Sequence, residues 1–327
     1  MYERYYGLRE RPFDLSPNPR FLFLSNKHRE ALTHLRYGVT GRPGLTVLIG
    51  EAGTGKSTLV RAALLSANGS SSGIVHLSNP TLTRAEFFEY LAAGFGFSLD
   101  ARASKATFLR ELECAVTSRG REHQVLALIV DEAQSLPHEL LEEIRLLTNV
   151  ESAAGKSLAV VLVGQPELAG RLNESTLRQL KQRIVLRCEL EPLDLRETAA
   201  YIAARVRVGG GSAELLFTRD AVVAIHEHSK GIPRTISVIC DNALVNGFAA
   251  DVKPVGRDIV LEVCRDFQFA NLPSPAVEPP GPAAVPAAIP ARPSQPEAPP
   301  AQRTRTAPAD SQPMFSDFTR PKRFSFF

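Results

Sequence analysis

Two stretches of this sequence have residue types and spacing suited to chemistry on a phosphate. The first, Gly50-Glu51-Ala52-Gly53-Thr54-Gly55-Lys56-Ser57-Thr58, fills the pattern G-x-x-x-x-G-K-S. Its glycines let the backbone curl so that successive N–H groups converge on an anion. A helix opening at Lys56 aims its positive end at the same spot. Lys56 can reach the β- and γ-phosphates of a nucleoside triphosphate as a point charge, and the Ser57 hydroxyl can hold Mg²⁺. The second stretch is the acidic pair Asp131-Glu132. Asp131 is placed to hold Mg²⁺, usually through water, and Glu132 to orient and deprotonate an attacking water. The plain alternative for such a pair is a solvated strand end.

Both stretches need rigid supports, and the flanking sequence supplies them. The apolar run from Leu45 to Ile49 reads as a buried strand, and good helix formers follow Lys56. The run VLALIV, ending at Val130, reads as a strand buried on both faces, as parallel sheets require. Asp131 and Glu132 then lie at its carboxyl end, where α/β sheets bind ligands. Adjacent carboxylates are costly there unless a cation or water uses them. GIVHLS (73–78), LAVVLVG (158–164) and IVLRCEL (184–190) read as further strands. Gln165 closes the second of these. It could hydrogen-bond a γ-phosphate or the lytic water, or simply turn the chain before Pro166.

Amphipathic spacing predicts helices capped by Ser25 or Asn26, over Thr83–Ala93 with Phe87, Phe88 and Leu91 inward, over Thr107–Ser118, and over 138–150. The repeat Gly155-Lys156-Ser157 has Val150 where the first glycine belongs and is expected to be a surface turn. Arg178, Arg183 and Arg187 could be a merely solvated face. Arg183 falls at a helix–strand junction, from which a side chain can project into a neighbour's active site. Arg178 is the other candidate for that role.

After Pro192 strand patterns stop, and four helical stretches follow: 195–208, 219–229, 233–249 and 256–267. The GGGS at 209–212 reads as a flexible connector. Gly231-Ile232-Pro233-Arg234 puts a proline in the first turn of a helix with Arg234 behind it, poorly placed for the helix dipole unless an external anion such as a phosphate is nearby. His226 and His228 face different ways on one helix and form no metal pair. The opening 25 residues are rich in tyrosine, phenylalanine and proline. Proline spacing argues against a helix before Pro19. Such an arm could lie over a nucleotide base or staple the N-terminus to the core.

Composition narrows the reading. Thirty-eight Lys and Arg against 35 Asp and Glu leave a net charge of +3, too balanced for a nucleic-acid coat or polybasic membrane binder. Cys114, Cys188, Cys240 and Cys264 are scattered and read as reduced, buried thiols. No stretch approaches the roughly 18 apolar residues of a membrane span and no signal peptide is evident, so a cytoplasmic protein is expected. From about Asn271 the chain holds 14 of its 24 prolines and is expected to be disordered. It ends in MFSDFTRPKRFSFF, where aromatics mix with Arg320, Lys322 and Arg323. That end is either a docking peptide for a protein or membrane surface, or a featureless tail.

With GEAGTGKS, LALIVDEAQ, LVGQPEL, QRI and GIPRTI in this order, the chain resembles the AAA+ ATPases. More narrowly it resembles their ExeA/GspA family of type II secretion, with TniB and MuB as more distant relatives. Its opening, Y-x-x-Y-Y-G-L-x-x-x-P-F-D-L-S-P-N-P-R-F-L-F, is similar to that family's N-terminal signature. The resemblance covers residues 1 to about 268. It implies a P-loop α/β domain with a five-stranded parallel sheet over 1–190, a helical lid over 191–270, and the tail. It implies Lys56 and Ser57 as the Walker A pair, Asp131 and Glu132 as the Walker B pair, Gln165 as sensor 1, Arg183 as arginine finger and Arg234 as sensor 2. It also favours contact between the N-terminal arm and adenine. Secretion members carry a transmembrane helix and a peptidoglycan-binding domain after the ATPase, and here a Pro-rich tail follows instead.

The expected function is therefore that of an Mg²⁺-dependent, ATP-hydrolysing switch, homo-oligomeric, acting on a protein partner through its lid or tail. A tethering factor whose output is binding, and a DNA-associated ATPase, are the alternatives. Nothing basic and clustered in the first 270 residues demands the latter. DEAQ also occurs in RNA helicases, but neither their second domain nor their later motifs are present.

Overall fold

A computed structural model of the chain describes residues 1–16, 18–40, 44–67, 73–121, 126–150 and 158–267. The second Gly-Lys-Ser and the proline-rich tail lie outside these residues. Five strands, β1 (Gly44–Gly50), β2 (Ile74–Leu77), β3 (Ala127–Val130), β4 (Ala159–Gly164) and β5 (Ile184–Leu190), form one sheet in the order β2-β3-β4-β1-β5. Every pairing is parallel. The three central strands are buried almost without interruption, whereas β5, at the edge, alternates. A strand covered on both faces reads as a continuous apolar run, and an edge strand does not.

The helices before the last strand are α1 (Tyr2–Tyr6), α2 (Asn26–Thr40), α3 (Lys56–Ala67), α4 (Arg84–Phe95), α5 (Leu99–Ala103), α6 (Lys105–Arg121), α7 (His138–Leu147), α8 (Pro166–Leu172) and α9 (Arg178–Lys181). Side-chain alternation sorts them onto two faces. Val47, Leu128, Val130 and Leu162 point toward α4, α6 and α7, with Phe87 and Phe108 filling the space. Leu48, Ile129, Val161 and Val163 point toward α2 and α3, against Leu35 and Leu59. Ser25 caps α2 by accepting a hydrogen bond from the His28 N–H at 3.3 Å.

A second unit follows β5: α10 (Leu195–Val208), α11 (Ala213–Leu216), α12 (Arg219–Ser229), α13 (Pro233–Ala249) and α14 (Arg257–Asp266). It has its own core, built on Ile202, Phe217, Ile225, Ile239 and Val260.

Four expectations are corrected. Residues 2–6 do form a short helix, because the first proline is Pro12 and nothing upstream prevents it. The arm assigned with the α/β domain buries Tyr2, Tyr6, Leu8 and Phe13 in the helical unit's core instead. Aromatic side chains bury large areas, and this core is the one within reach. The Gly209–Ser212 run is not a flexible connector. It is an ordered turn whose Gly209 carbonyl accepts the Arg9 N–H at 2.8 Å. Cys114 is exposed, whereas Cys188, Cys240 and Cys264 are buried, all as free thiols. Among the described residues no helix is long and apolar enough to cross a membrane.

Phe13 is 1% exposed and meets the Phe217 ring edge-on at 6.1 Å. Phe13→Ala should therefore lower stability by about 3–5 kcal/mol. The urea unfolding midpoint checks this, and an unchanged midpoint would place the arm outside the core.

Candidate functional site

The loop between β1 and α3 is held in shape from three sides. Within it, Thr54 Oγ1 donates to the Glu51 carbonyl at 2.8 Å. From below, His28 of α2 is buried and its Nε2 donates to the Thr54 carbonyl at 2.9 Å. Because that nitrogen must carry the proton, Nδ1 of the neutral ring accepts from Ser25 Oγ at 2.7 Å. From above, the Arg234 N–H at the start of α13 donates to the Gly53 carbonyl at 3.2 Å. Gly53 has φ 84°, and a Cβ there would stand 2.8 Å from the Arg234 Cβ. The two units approach so closely at this point that no side chain fits.

Lys56 is 5% exposed, and its ammonium donates to the carbonyls of Gly50 (2.7 Å) and Glu51 (3.0 Å). Burial lowers its pKa, opposed by the charges of Glu132 and Asp131. Ser57 Oγ donates to Asp131 Oδ2 at 2.8 Å, which joins the loop to the end of β3. Glu132 sits in the left-handed region at φ 52°, ψ 38°. A non-glycine residue there costs on the order of 1 kcal/mol and persists only when its surroundings fix it. Here Glu132 Oε2 accepts from Gln134 Nε2 at 2.6 Å and from Gln165 Nε2 at 3.2 Å. The Gln134 hydrogen bond, then that of Gln165 and the charge of Lys56, hold the Glu132 carboxyl below its ordinary pKa against its partial burial.

Lys56, Ser57 and Glu132 open onto a cleft of about 420 Å³ between the α/β and helical units, which Arg234 also lines. Its far wall is the arm, through Phe21 and Phe23. Arg205 of α10 fastens that wall. Its guanidinium donates to the carbonyls of Pro12 (2.5 Å) and Asp14 (2.8 Å) and to Tyr201 Oη (2.8 Å), and lies over the Phe21 ring. The arm thus staples the N-terminus to a core, one of the two readings left open by the sequence, and it also walls the cleft. A second cavity of about 320 Å³ between α2 and β5 is lined by Cys188. Burial pushes that thiol up to about 11, which leaves it protonated and unreactive.

Of the residues singled out in the sequence, the structure gathers Gly50 through Thr58, Asp131, Glu132, Gln165 and Arg234 around one end of the sheet. Arg183 lies elsewhere. It is exposed, and its carbonyl accepts the Leu45 N–H at the start of β1, at the opposite end of the sheet from Lys56. Arg178 is exposed on α9. His28, Gln134 and Arg205 were missed. Their signals were faint: a Ser-x-x-His at a helix start, an amide inside the acidic motif, and an arginine four residues after Tyr201.

The sequence matches the AAA domain family over residues 39–172. It is 42% identical over 252 residues to General secretion pathway protein A of Aeromonas hydrophila, covering 76% of this chain and 45% of that protein. The chain thus spans less than half the length of this curated relative. Among solved structures, the fold is similar to the Aeropyrum pernix ORC2 protein in ADPNP–ADP complexes, with TM-score 0.57 and 19% identity over 79% of this chain and 71% of that one. It is likewise similar to Drosophila ORC bound to DNA, with TM-score 0.59 and 18% identity over 79% of this chain and 64% of that one. At these identities the structural likeness concerns the fold alone.

His28 generates a pH prediction. Burial lowers its pKa below the value of about 6.5 it has in an unfolded chain. As pH falls through about 6.5 the unfolded state therefore binds more protons, so stability falls as pH falls. Half-buried His76 acts in the same direction. The urea midpoint should drop as pH falls through this value, with a shallower drop in His28→Gln. An unchanged slope in the variant would mean that His28 is not held neutral.

Proposed function

We propose that this chain, an AAA+ P-loop protein of the General secretion pathway protein A type, binds ATP with Mg²⁺ and hydrolyses it as a nucleotide-dependent switch. The observation that carries this reading is the meeting of Lys56, Ser57, Asp131, Glu132 and Gln165 at one end of the sheet, linked by the hydrogen bonds Ser57–Asp131 and Gln165–Glu132. A buried ammonium, a hydroxyl paired with a carboxylate, and a second carboxylate held ionised are the parts that phosphoryl transfer to water requires.

The residues present fit the ion. The Ser57 hydroxyl and Asp131 carboxylate are hard oxygen donors of the kind Mg²⁺ takes. When bound, Mg²⁺ would supply positive charge to oxygens of the β- and γ-phosphates. The protein does the rest. Backbone N–H groups from Gly53 to Ser57 bind phosphate oxygens, and Lys56 exchanges its carbonyl partners for them. Glu132 orients a water and takes its proton, while the Gln165 amide is within reach of the same region. Arg234 answers phosphate charge from the helical unit, so nucleotide state is carried to the cleft's two walls. The arm at Phe21 and Phe23 covers the base. Arg183 serves the site of a neighbouring copy, and a homo-oligomer is the working form. The likeness to General secretion pathway protein A supports a role in assembling a secretion or envelope-related complex.

Lys56→Ala should abolish nucleotide binding. Glu132→Gln should bind ATP with near-native affinity and turn over about 10²–10⁴-fold more slowly. Fluorescent-nucleotide titration and phosphate release measure the two, and wild-type turnover in Glu132→Gln would remove the general base. For Arg183, activity per subunit should rise with protein concentration. Mixing inactive Arg183→Ala with inactive Lys56→Ala should also restore part of the activity. No recovery in mixed oligomers would overturn the trans role.

A further inference from the structure

Gln134 lies in the short turn Ala133–Ser135 that follows the acidic pair. Both ends of its side-chain amide are engaged. Nε2 donates to Glu132 Oε2 at 2.6 Å, and Oε1 accepts the Gln165 backbone N–H at 3.1 Å. The side chain therefore bridges the carboxyl ends of β3 and β4. Gln165 completes the ring by donating its own amide to the same Glu132 oxygen at 3.2 Å.

The turn itself is fixed. Arg171 of α8 donates through Nη1 to the carbonyls of Gln134 and Leu136, each at 2.6 Å. The neighbouring strand makes room for the bridge, since a Cβ on Gly164 would stand 2.9 Å from Gln134 Oε1. Glu132, in its left-handed backbone conformation, has no other side-chain amide among the described contacts than these two glutamines.

We infer that Gln134 is the positioning residue for the general base: its amide fixes the rotamer of Glu132 and ties that carboxylate to the Gln165 segment, so that both move as one. This inference rests on the reading of Glu132 as the base. A carboxylate accepting two amide N–H groups on one oxygen leaves its other oxygen to receive the proton of water. Gln134 is not among the residues that line the cleft, and it acts through Glu132. Orientation errors of an ångström cost about 10²-fold in rate even when binding is intact.

The test uses the full chain and the variant Gln134→Met, which keeps the length and volume of the side chain and removes both hydrogen bonds. ATP affinity should stay within about twofold, while kcat falls by about 10- to 100-fold. In a Glu132→Gln background the same substitution should change the residual turnover less than twofold, because there is no base left to position. Gln134→Asn, which keeps the amide on a shorter arm, should lie between Met and wild type in kcat. Wild-type kcat in Gln134→Met would overturn the inference. So would a parallel loss of affinity, or an equal further fall in the Glu132→Gln background, since a merely structural role gives either. Full activity of Glu132→Gln by itself would instead sink the general-base reading, so the two failures are distinguishable.

Discussion

The ammonium group of Lys56 is the constraint around which the rest is arranged. A buried cation must be solvated by the protein, and here the carbonyls of its own loop, Gly50 and Glu51, do so. That arrangement requires a loop tight enough to fold back over its own helix start. This in turn requires a strand buried beneath it and a helix directly after it. The charges of Asp131 and Glu132 favour the cation from across the sheet. β1 and β3 are not neighbours, because β4 lies between them. The acids therefore reach the lysine only over the end of β4, which is where Gln165 stands. Strand order thus decides which residues can meet.

The second unit is joined to this centre through backbone and arm rather than through a broad apolar seam. Arg234 bonds the loop through its N–H, at a point where only glycine permits the approach. After Phe13 the arm lines the cleft, with Phe23 still packed on the helical core, and enters α2, whose His28 supports the loop from beneath. Residues before and after the cleft wall therefore belong to different units. A movement of the helical unit carries Arg205 and its hold on Pro12 and Asp14 with it, and so must move the wall.

Much of this was legible in the sequence, for reasons that can be named. The strand runs Leu45–Ile49, interrupted only by the buried Thr46, and Leu158–Gly164 are apolar because two layers of helices cover them, so sequence pattern and burial coincide. The glycine–lysine spacing encodes a backbone path and is read directly. What stayed hidden depends on contacts between distant residues. Nothing local marks Tyr2 and Phe13 as core residues of a unit that begins after Pro192. The glycine run at 209–212 looked flexible because its order comes from Arg9, far away in sequence. Gln134 had a visible position but an invisible partner, since its function lies in the rotamer of Glu132 and the backbone of Gln165.

The position of Arg183 follows from the sheet rather than from its own surroundings. All strands run the same way, so their carboxyl ends share one edge and their amino ends the other. Lys56 follows β1, whereas Arg183 precedes β5, and Leu45 pairs with Ile184 at the amino end. A strand the length of β1, seven residues, spans roughly 20 Å, well beyond the reach of an arginine side chain. No rotamer of Arg183 brings its guanidinium to the lysine of its own chain. Any part it takes in phosphate chemistry is played on another molecule, and the parallel sheet that assembles the rest of the centre is what makes that so.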